Sequence, residues 1–356
     1  MSENTALVVG ISGIVGRTLA DHLAALEGWT VLGVSRHQHD DLGPAKRAAV
    51  DLLDAAAATE AVTALGRPTH VFFATWARQR TETLNCEING AMFRNAVQAA
   101  VAAGGVRHVA LVTGLKHYLG SFENYAAQEL DTPFTEELPR VPGANFYYTQ
   151  EDILFELSAR HDFTWSVARP HTIIGYAPGN AMNLGTSIAV YATLCRESGR
   201  PFTFPGSPQQ YAGITDMLDA GLLAKHLVWS STSPAAANTA FNVVNGDVFR
   251  WKKLWRQIAL YFGIEAGVYP GEARPLADSL ADAGPEWDRI VARHGLKPTK
   301  LEQIAPWWHV DADLGRTQET LTDMSRSRER GFLHYQRTSS AMTRLFDRLR
   351  HERIIP

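Results

Sequence analysis

The chain has 356 residues, 45% of them hydrophobic and 20% charged, with a formal net charge of −3. That composition suits an ordinary globular protein with apolar material enough for a large core, in two domains or in one with a substantial insertion. No dense Lys/Arg run stands out, which argues against nucleic acid and membrane surfaces as partners, and two distant cysteines, Cys86 and Cys195, argue against a disulfide framework.

In chain order, residues 6–10 (ALVVG) read as a strand running into a glycine loop, and 15–26 as a helix by their apolar spacing. Strands are predicted at 30–34, 48–51, 70–74 and 108–113, with a helix at about 84–103 between the last two, and a sixth strand at 163–168. Strands alternating with helices predict a doubly wound α/β fold, a Rossmann-type parallel sheet covered on both faces. From about Gly175 the character changes to Gly/Pro-rich loops, helical stretches and isolated strands such as 241–244. Residues 1–175 are therefore assigned to a nucleotide-binding domain. Residues 176–356 are assigned mostly to a smaller, mainly helical substrate domain, with some segments crossing back. Residues 344–355 read as a packed amphipathic helix, with Leu345, Phe346, Leu349 and Ile354 apolar. No basic region followed by an apolar stretch opens the chain, and no apolar run reaches the ~18–20 residues that span a bilayer. A cytoplasmic location is the expectation.

The loop Gly10-Ile11-Ser12-Gly13-Ile14-Val15-Gly16 fits G-x-x-G-x-x-G between strand and helix. Gly10 permits the tight turn, Gly13 clears the approach to a pyrophosphate, and Gly16 lets helix and strand pack closely. The helix N-terminus offers its free N–H groups to the anion. The second strand ends Val34-Ser35-Arg36-His37, with no carboxylate for a ribose 2′-hydroxyl. Ser35 and Arg36 instead suit a 2′-phosphate, so NADP(H) is predicted over NAD(H); the plainer reading of Arg36 is a solvated surface residue. Asp51-Leu52 stand where such folds meet adenine, although Asp51 reads equally as a helix N-cap. Ala74-Thr75 end the fourth strand, where small residues let backbone pass beside the cofactor.

The usual Tyr-x-x-x-Lys helix motif is missing. After the fifth strand stands Asn145-Phe146-Tyr147-Tyr148, and the residue four past Tyr148 is Asp152. A tyrosine without a cation is a poor acid, its reference pKa being ~10. Lys116, in Thr113-Gly114-Leu115-Lys116-His117-Tyr118, lies past the fifth strand, at the sheet edge where doubly wound folds place their sites. From spacing alone it is either a substitute lysine or an exposed loop residue, and Tyr148 either its partner or a core aromatic.

These strings resemble the progesterone 5β-reductase/iridoid synthase-like family of short-chain dehydrogenases/reductases, over nearly the whole chain. The resemblance rests on the glycine loop, on Thr113-Gly114-Leu115-Lys116-His117-Tyr118-Leu119-Gly120, and on Asn145-Phe146-Tyr147-Tyr148 with Glu151-Asp152. It continues in Phe204-Pro205-Gly206-Ser207, in residues 241–249 (FNVVNGDVF) and in 327–332 (SRERGF). It implies a catalytic pair of Lys116 and Tyr148, and NADPH-dependent reduction of a C=C bond conjugated to a carbonyl. It also implies that Pro170, Ile173 and Met182 lie near the nicotinamide, with Thr113 in the cofactor site. The chain departs from the family at Ser121, where proline is usual, at residues 179–183, and at His171, where a small or different residue is frequent. His171 reads as a substrate or cofactor contact or as a hydrogen-bonded structural histidine. Trp76, Tyr118, Phe122, Tyr147, Tyr176 and Phe332 are candidates for an apolar substrate wall, each equally readable as core.

Three alternatives stay open: a carbonyl reductase using the same pair, a non-catalytic NADP(H)-sensing protein, and, less favoured without Tyr-x-x-x-Lys, a sugar-nucleotide epimerase. No metal site is expected. His37 and His39 beside Asp40 and Asp41 read as a solvated loop. The expected partner is a small enone substrate, and related folds are commonly homodimers.

Overall fold

Short, largely apolar runs build the main sheet, and two further short strands pair in a small second one. The computed structural model describes residues 4–38, 43, 45–121 and 131–356. The first half runs β1 (Asn4–Val9), α1 (Ile14–Ala24), β2 (Trp29–Ser35), β3 (Lys46–Ala49), α2 (Ala55–Leu65), β4 (His70–Phe73), α3 (Glu82–Ala103), β5 (His108–Val112), α4 (Lys116–Leu119), α5 (Phe146–His161) and β6 (Thr164–Pro170). There follow β7 (Ile173–Ile174), α6 (Leu184–Ser198), α7 (Pro208–Ala212), β8 (Leu218–Asp219), α8 (Ala220–Thr232), β9 (Thr239–Val243) and α9 (Trp251–Phe262). The chain ends with α10 (Leu276–Ser279), α11 (Gly284–His294), α12 (Leu301–Ile304), α13 (Trp307–Leu314), α14 (Ser325–Glu329) and α15 (Thr338–His351).

The seven-stranded sheet has the order β3-β2-β1-β4-β5-β6-β9, and every pairing is parallel. The order reverses between β1 and β4, which opens a crevice at the C-terminal ends of the strands. Alternate strand residues face opposite sides. Leu7, Val9, Val71 and Phe73 pack with α2, α3 and α5. Ala6, Val8 and Phe72 pack with α1 and α8. That two-sided burial is why the central strands read as unbroken apolar runs rather than alternating ones.

Edges depart from the sequence reading. The third strand is 46–49, not 48–51, because Lys46 and Arg47 make half of an edge strand that pairs only with β2. The sixth runs on to Pro170. The segment expected at 241–244 is β9, the seventh strand of the main sheet, paired with β6. With α8 it returns from the second half to the first. α14 also packs on β9, and the other helices of the second half gather around Trp255, Trp287, Phe202 and Phe346 in a separate core. There α15 buries Leu345, Phe346 and Leu349. No helix among the described residues is long and apolar enough to cross a membrane.

Candidate active site

The glycine loop is shaped by the backbone around it. Gly10 has φ +89°, and a Cβ there would stand 2.8 Å from both Ala74 O and Thr75 Cβ, so β4's end presses on the loop. A Cβ on Gly16 would stand 2.1 Å from Gly10 O. Gly13 differs: a Cβ there would meet Gly10 O only at 3.4 Å and Asn180 Nδ2 at 3.8 Å. The protein's own packing does not demand a glycine at 13, so what the missing side chain leaves is room. Gly13 is the N-cap of α1, and among the described residues no side chain caps it. Room for a group beside uncapped N–H donors is the arrangement that takes a pyrophosphate. Ser12 lies in the same turn, and Ile14 packs with Ile173, Ala177 and Ala220.

At the far end of the crevice, Ser35 Oγ donates to His37 O (2.8 Å). Arg36 is exposed one residue past β2. Asp51 does not cap a helix: its Oδ1 accepts from Leu53 N at 3.0 Å, and the cap of α2 is Asp54. Leu52 is buried. The 179–183 segment reaches the loop through Asn180, whose Oδ1 also accepts from Met182 N (3.0 Å).

Lys116 opens α4 just past β5 and is buried, 4% exposed. Its ammonium pairs with Glu82, the first residue of α3, which is itself 7% exposed. Glu82 Oε2 also accepts from Asn85 Nδ2 (3.1 Å), and Oε1 accepts from Phe146 N, the first amide of α5, at 2.9 Å. Asn145 caps α5 and donates through Nδ2 to Lys116 O (2.9 Å). Lys116 Nζ stands 4.9 Å from the centre of the Phe146 ring, on which Trp76 stacks at 5.3 Å. Glu82 was absent from the sequence reading. Thr81-Glu82 is recognisable there only as the acidic first turn of a helix, and nothing along the chain couples it to position 116.

The two tyrosines of Asn-Phe-Tyr-Tyr separate. Tyr148 turns away from the crevice: its hydroxyl donates to His117 O, accepts from Val141 N (2.9 Å), and its ring lies under Arg140 at 4.8 Å. The structure does not join it to the ammonium of Lys116. Adjacent residues on a helix point about 100° apart, which sends the two hydroxyls to different surroundings. The Tyr147 hydroxyl and Pro170 O each lie 3.3 Å from where a Gly114 Cβ would be, at the C-terminal ends of β5 and β6. Burial, then the charge of Glu82, push the Tyr147 hydroxyl well above its ordinary value. Thr113, next along, bonds both N and Oγ1 to Ala168 O.

Behind α5, Glu151 collects Arg169 (3.2 Å), Arg140 (3.0 Å) and His117 (3.4 Å). Burial pushes Glu151 up, but these partners outweigh it and hold it at about 2. Burial pushes His117 down, so the arginines supply the positive charge at neutral pH. These residues line a cleft of about 1090 Å³ that touches neither Lys116 nor Tyr147.

The substrate-wall expectations divide. Trp76 lies past the end of β4 with its ring stacked on Phe146, and Tyr147 lies beside Gly114. Tyr118 is turned to β9, its hydroxyl donating to Asn242 Oδ1 at 2.6 Å with Phe134 stacked on its ring. Phe332 is 1% exposed and packs on His226 and Trp229 beneath α8. Tyr176 lies buried under Arg348. Each of these three buries a ring where the sheet or helices need one. Phe122 lies outside the described residues, as do His39, Asp40 and Asp41. His171 is a hydrogen-bonded, buried histidine, with Nδ1 2.6 Å from Asp216 Oδ1.

Comparison with known proteins agrees with this architecture. Residues 46–356 match the model of the PRISE-like Rossmann-fold domain. The (S)-8-oxocitronellyl enol synthase of Nepeta racemosa is 41% identical over 364 aligned positions, covering 99% of this chain and 94% of the relative. The 3-oxo-Δ(4,5)-steroid 5-beta-reductase of Arabidopsis thaliana is 38% identical with the same coverage. Among solved structures, the UDP-glucose 4-epimerase of Thermus thermophilus, in complex with NAD, superposes with a TM-score of 0.68 at 16% identity, covering 97% of this chain and 99% of the other. RMD of Pseudomonas aeruginosa, in complex with NADPH, gives 0.66 at 16% identity, with 96% and 97% covered. At that identity these two speak for the fold alone, whereas the family match and the full-length relatives speak for kinship. The chain belongs to the PRISE-like Rossmann-fold family and is an oxidoreductase of the short-chain dehydrogenase/reductase superfamily.

Proposed function

We propose that this protein reduces the C=C bond of α,β-unsaturated carbonyl compounds with NADPH, using Lys116 and Tyr147. The observation that carries the reading is that one carboxylate, Glu82, pairs with the buried Lys116 just past β5 and acts by its charge on the Tyr147 hydroxyl, which lies beside Gly114 and Pro170. Two full-length relatives fit it: one is named for an enol product and the other for a steroid 5-beta reduction. When bound, the nicotinamide would supply hydride to the β-carbon.

The protein's part follows from where charge then develops. Addition at the β-carbon moves negative charge onto the carbonyl oxygen, and the site must stabilise that enolate. Tyr147, kept neutral by burial and Glu82, is the donor to this oxygen. Lys116 keeps the local potential positive. The α-carbon takes its proton from solvent. Gly10, Ser12, Gly13, Ile14 and Gly16 would hold the pyrophosphate, with Asp51, Leu52, Ala74 and Thr75 along the adenosine side. Ser35 and Arg36 would meet the 2′-phosphate. Thr113, Pro170, Ile173 and Met182 would border the nicotinamide, and Trp76 the substrate. Tyr148, assigned to catalysis by the family resemblance, serves in this reading to fix the loop at Val141 and His117.

The test is NADPH oxidation across cyclic and linear enones, steroids and conjugated dialdehydes, with products identified. A saturated ketone or aldehyde is the expected product. An allylic alcohol would move the reaction to the carbonyl carbon, and no oxidation with any of them would overturn the reading.

A further inference from the structure

Where lysine and tyrosine sit one helical turn apart, the helix itself sets their spacing. Here they arrive on different segments, Lys116 at the start of α4 and Tyr147 in the first turn of α5. Backbone connectivity alone does not hold an ammonium on a four-carbon stem in register with a phenol on another helix. Some group must tie the two segments together.

One carboxylate does. We propose that Glu82 is the positioning residue that registers Lys116 against the tyrosine helix. Its Oε2 holds the Lys116 ammonium, and its Oε1 holds the N–H of Phe146, the residue immediately before Tyr147. Asn85 supplies a third bond to Oε2, from the next turn of α3. Glu82 thus ties the N-termini of three helices, α3, α4 and α5, through one buried group. The placement is favourable on electrostatic grounds, because a carboxylate at a helix N-terminus meets the positive end of the dipole. Asn145 completes the frame by bonding Lys116 O while capping the helix that carries Tyr147. Among the described residues, Tyr148 is engaged by His117 and Val141, and Glu151 by Arg140 and Arg169. The charge of Glu82 also acts on Tyr147, adding to burial in opposing its ionisation. In the proposed chemistry Glu82 acts through Lys116, through α5 and through the charge it sets near Tyr147.

The inference deepens the function proposed above and rests on it for its kinetic consequence. Glu82→Gln in the full chain keeps length and an amide oxygen for Phe146 N, while removing the charge that holds Lys116. With NADPH and a reducible enone, kcat is expected to fall roughly a hundredfold, the size of effect that a misplacement of about 1 Å produces, with KM for NADPH little changed. The alkaline limb of the kcat profile is expected to move to lower pH, because Glu82 no longer opposes ionisation of Tyr147. A merely structural loss would scale kcat equally at every pH. Glu82→Asp, which retains the charge, is expected to recover part of kcat and the wild-type profile. A second readout needs no turnover: urea midpoints of Glu82→Gln, Lys116→Met and the double variant, where coupling makes the double loss smaller than the sum of the single ones. If Glu82→Gln does not fold, Glu82→Met, which also removes the charge, replaces it in both measurements.

Wild-type kcat and profile in Glu82→Gln, or additive midpoints, would overturn the role of Glu82. If that happened while Lys116→Met and Tyr147→Phe still abolished reduction, the enone reading would stand without it. If the wild type reduced no enone, that reading would fall, and the urea cycle would still decide whether Glu82 and Lys116 act as one unit.

Discussion

The glycine loop and the lysine–tyrosine site lie at the same edge of the same sheet, yet they are built in opposite ways. The loop needs seven consecutive residues, and its first and third glycines act on one another: a Cβ at Gly16 would meet Gly10 O at 2.1 Å. The site needs Glu82, Lys116 and Phe146, with the carboxylate bonded to partners 34 and 64 residues further along the chain. A locally built feature tolerates change in the rest of the chain and is broken by a methyl group. A site assembled from distant segments depends on buried polar groups that brace it, and is broken by removing a charge or a hydroxyl.

The sharpest break in that comparison is between the two adjacent tyrosines. Tyr147→Phe is expected to lower kcat by about 10²–10³, the usual effect of removing one donor to a developing oxyanion, while NADPH binding and thermal stability stay near wild type. Tyr148→Phe is expected to do the reverse. It leaves His117 O and Val141 N without their shared partner, costs about 1–3 kcal/mol of stability, and changes kcat only a few-fold. Turnover and urea denaturation on both variants decide it. If Tyr148→Phe were the inactive one, the site would require a rearrangement of α5's first turn.

That contrast marks where the sequence stops being legible. The strands, the order of elements and the glycine loop were readable because each is a local pattern: an apolar run, a helical period, a spacing of glycines. Lys116 was readable as a lysine past β5. Which of Tyr147 and Tyr148 faces it was not, because the angle of a helix about its own axis is set by what its other faces bury, here Leu154 and Leu157 against the sheet. Glu82 was invisible for the same reason: its partner lies in another segment. Tyr118 and Phe332 read as substrate contacts only because aromatic residues look alike until Asn242 or His226 is placed beside them.

The bracing behind the site predicts an acid sensitivity that the loop does not share. Glu151 has its folded pKa depressed from 4.5 to about 2, so its contribution is present above about pH 4.5 and is lost as pH falls toward 2. A shift of that size corresponds to on the order of 3 kcal/mol. Denaturant midpoints measured from pH 6 to 2.5 should fall through this window in the wild type. Glu151→Gln should start lower at neutral pH and lose that part of the slope. An unchanged slope would mean that Arg140 and Arg169 do not hold the carboxylate in solution.

Within the loop, two glycines separate packing from ligand space. Gly16→Ala forces a methyl group against backbone that cannot yield, so a loss of about 1–3 kcal/mol in stability is expected, and NADPH binding falls with it. Gly13→Ala meets its nearest neighbour at an ordinary 3.4 Å; its stability should stay near wild type while NADPH affinity drops. Equal affinity in Gly13→Ala and wild type would remove the pyrophosphate from that space.

The smallest expected effect concerns the exposed rim of the crevice. Arg36 stands past the end of β2, exposed, beside a serine whose hydroxyl is turned to His37 O. A guanidinium there meets a 2′-phosphate as a charge-assisted pair in contact with water, so screening limits what it adds. Arg36→Ala is expected to weaken NADPH binding about tenfold, near 1.4 kcal/mol, and to leave NADH binding and kcat with saturating NADPH almost untouched. Raising the salt concentration should narrow the gap between wild type and variant, because both the phosphate and the arginine face solvent. Titration with each cofactor at two ionic strengths measures this directly. If the variant loses affinity for NADH as steeply as for NADPH, Arg36 supports the shape of the loop rather than the phosphate, and the preference between the cofactors has to come from residues deeper in the crevice.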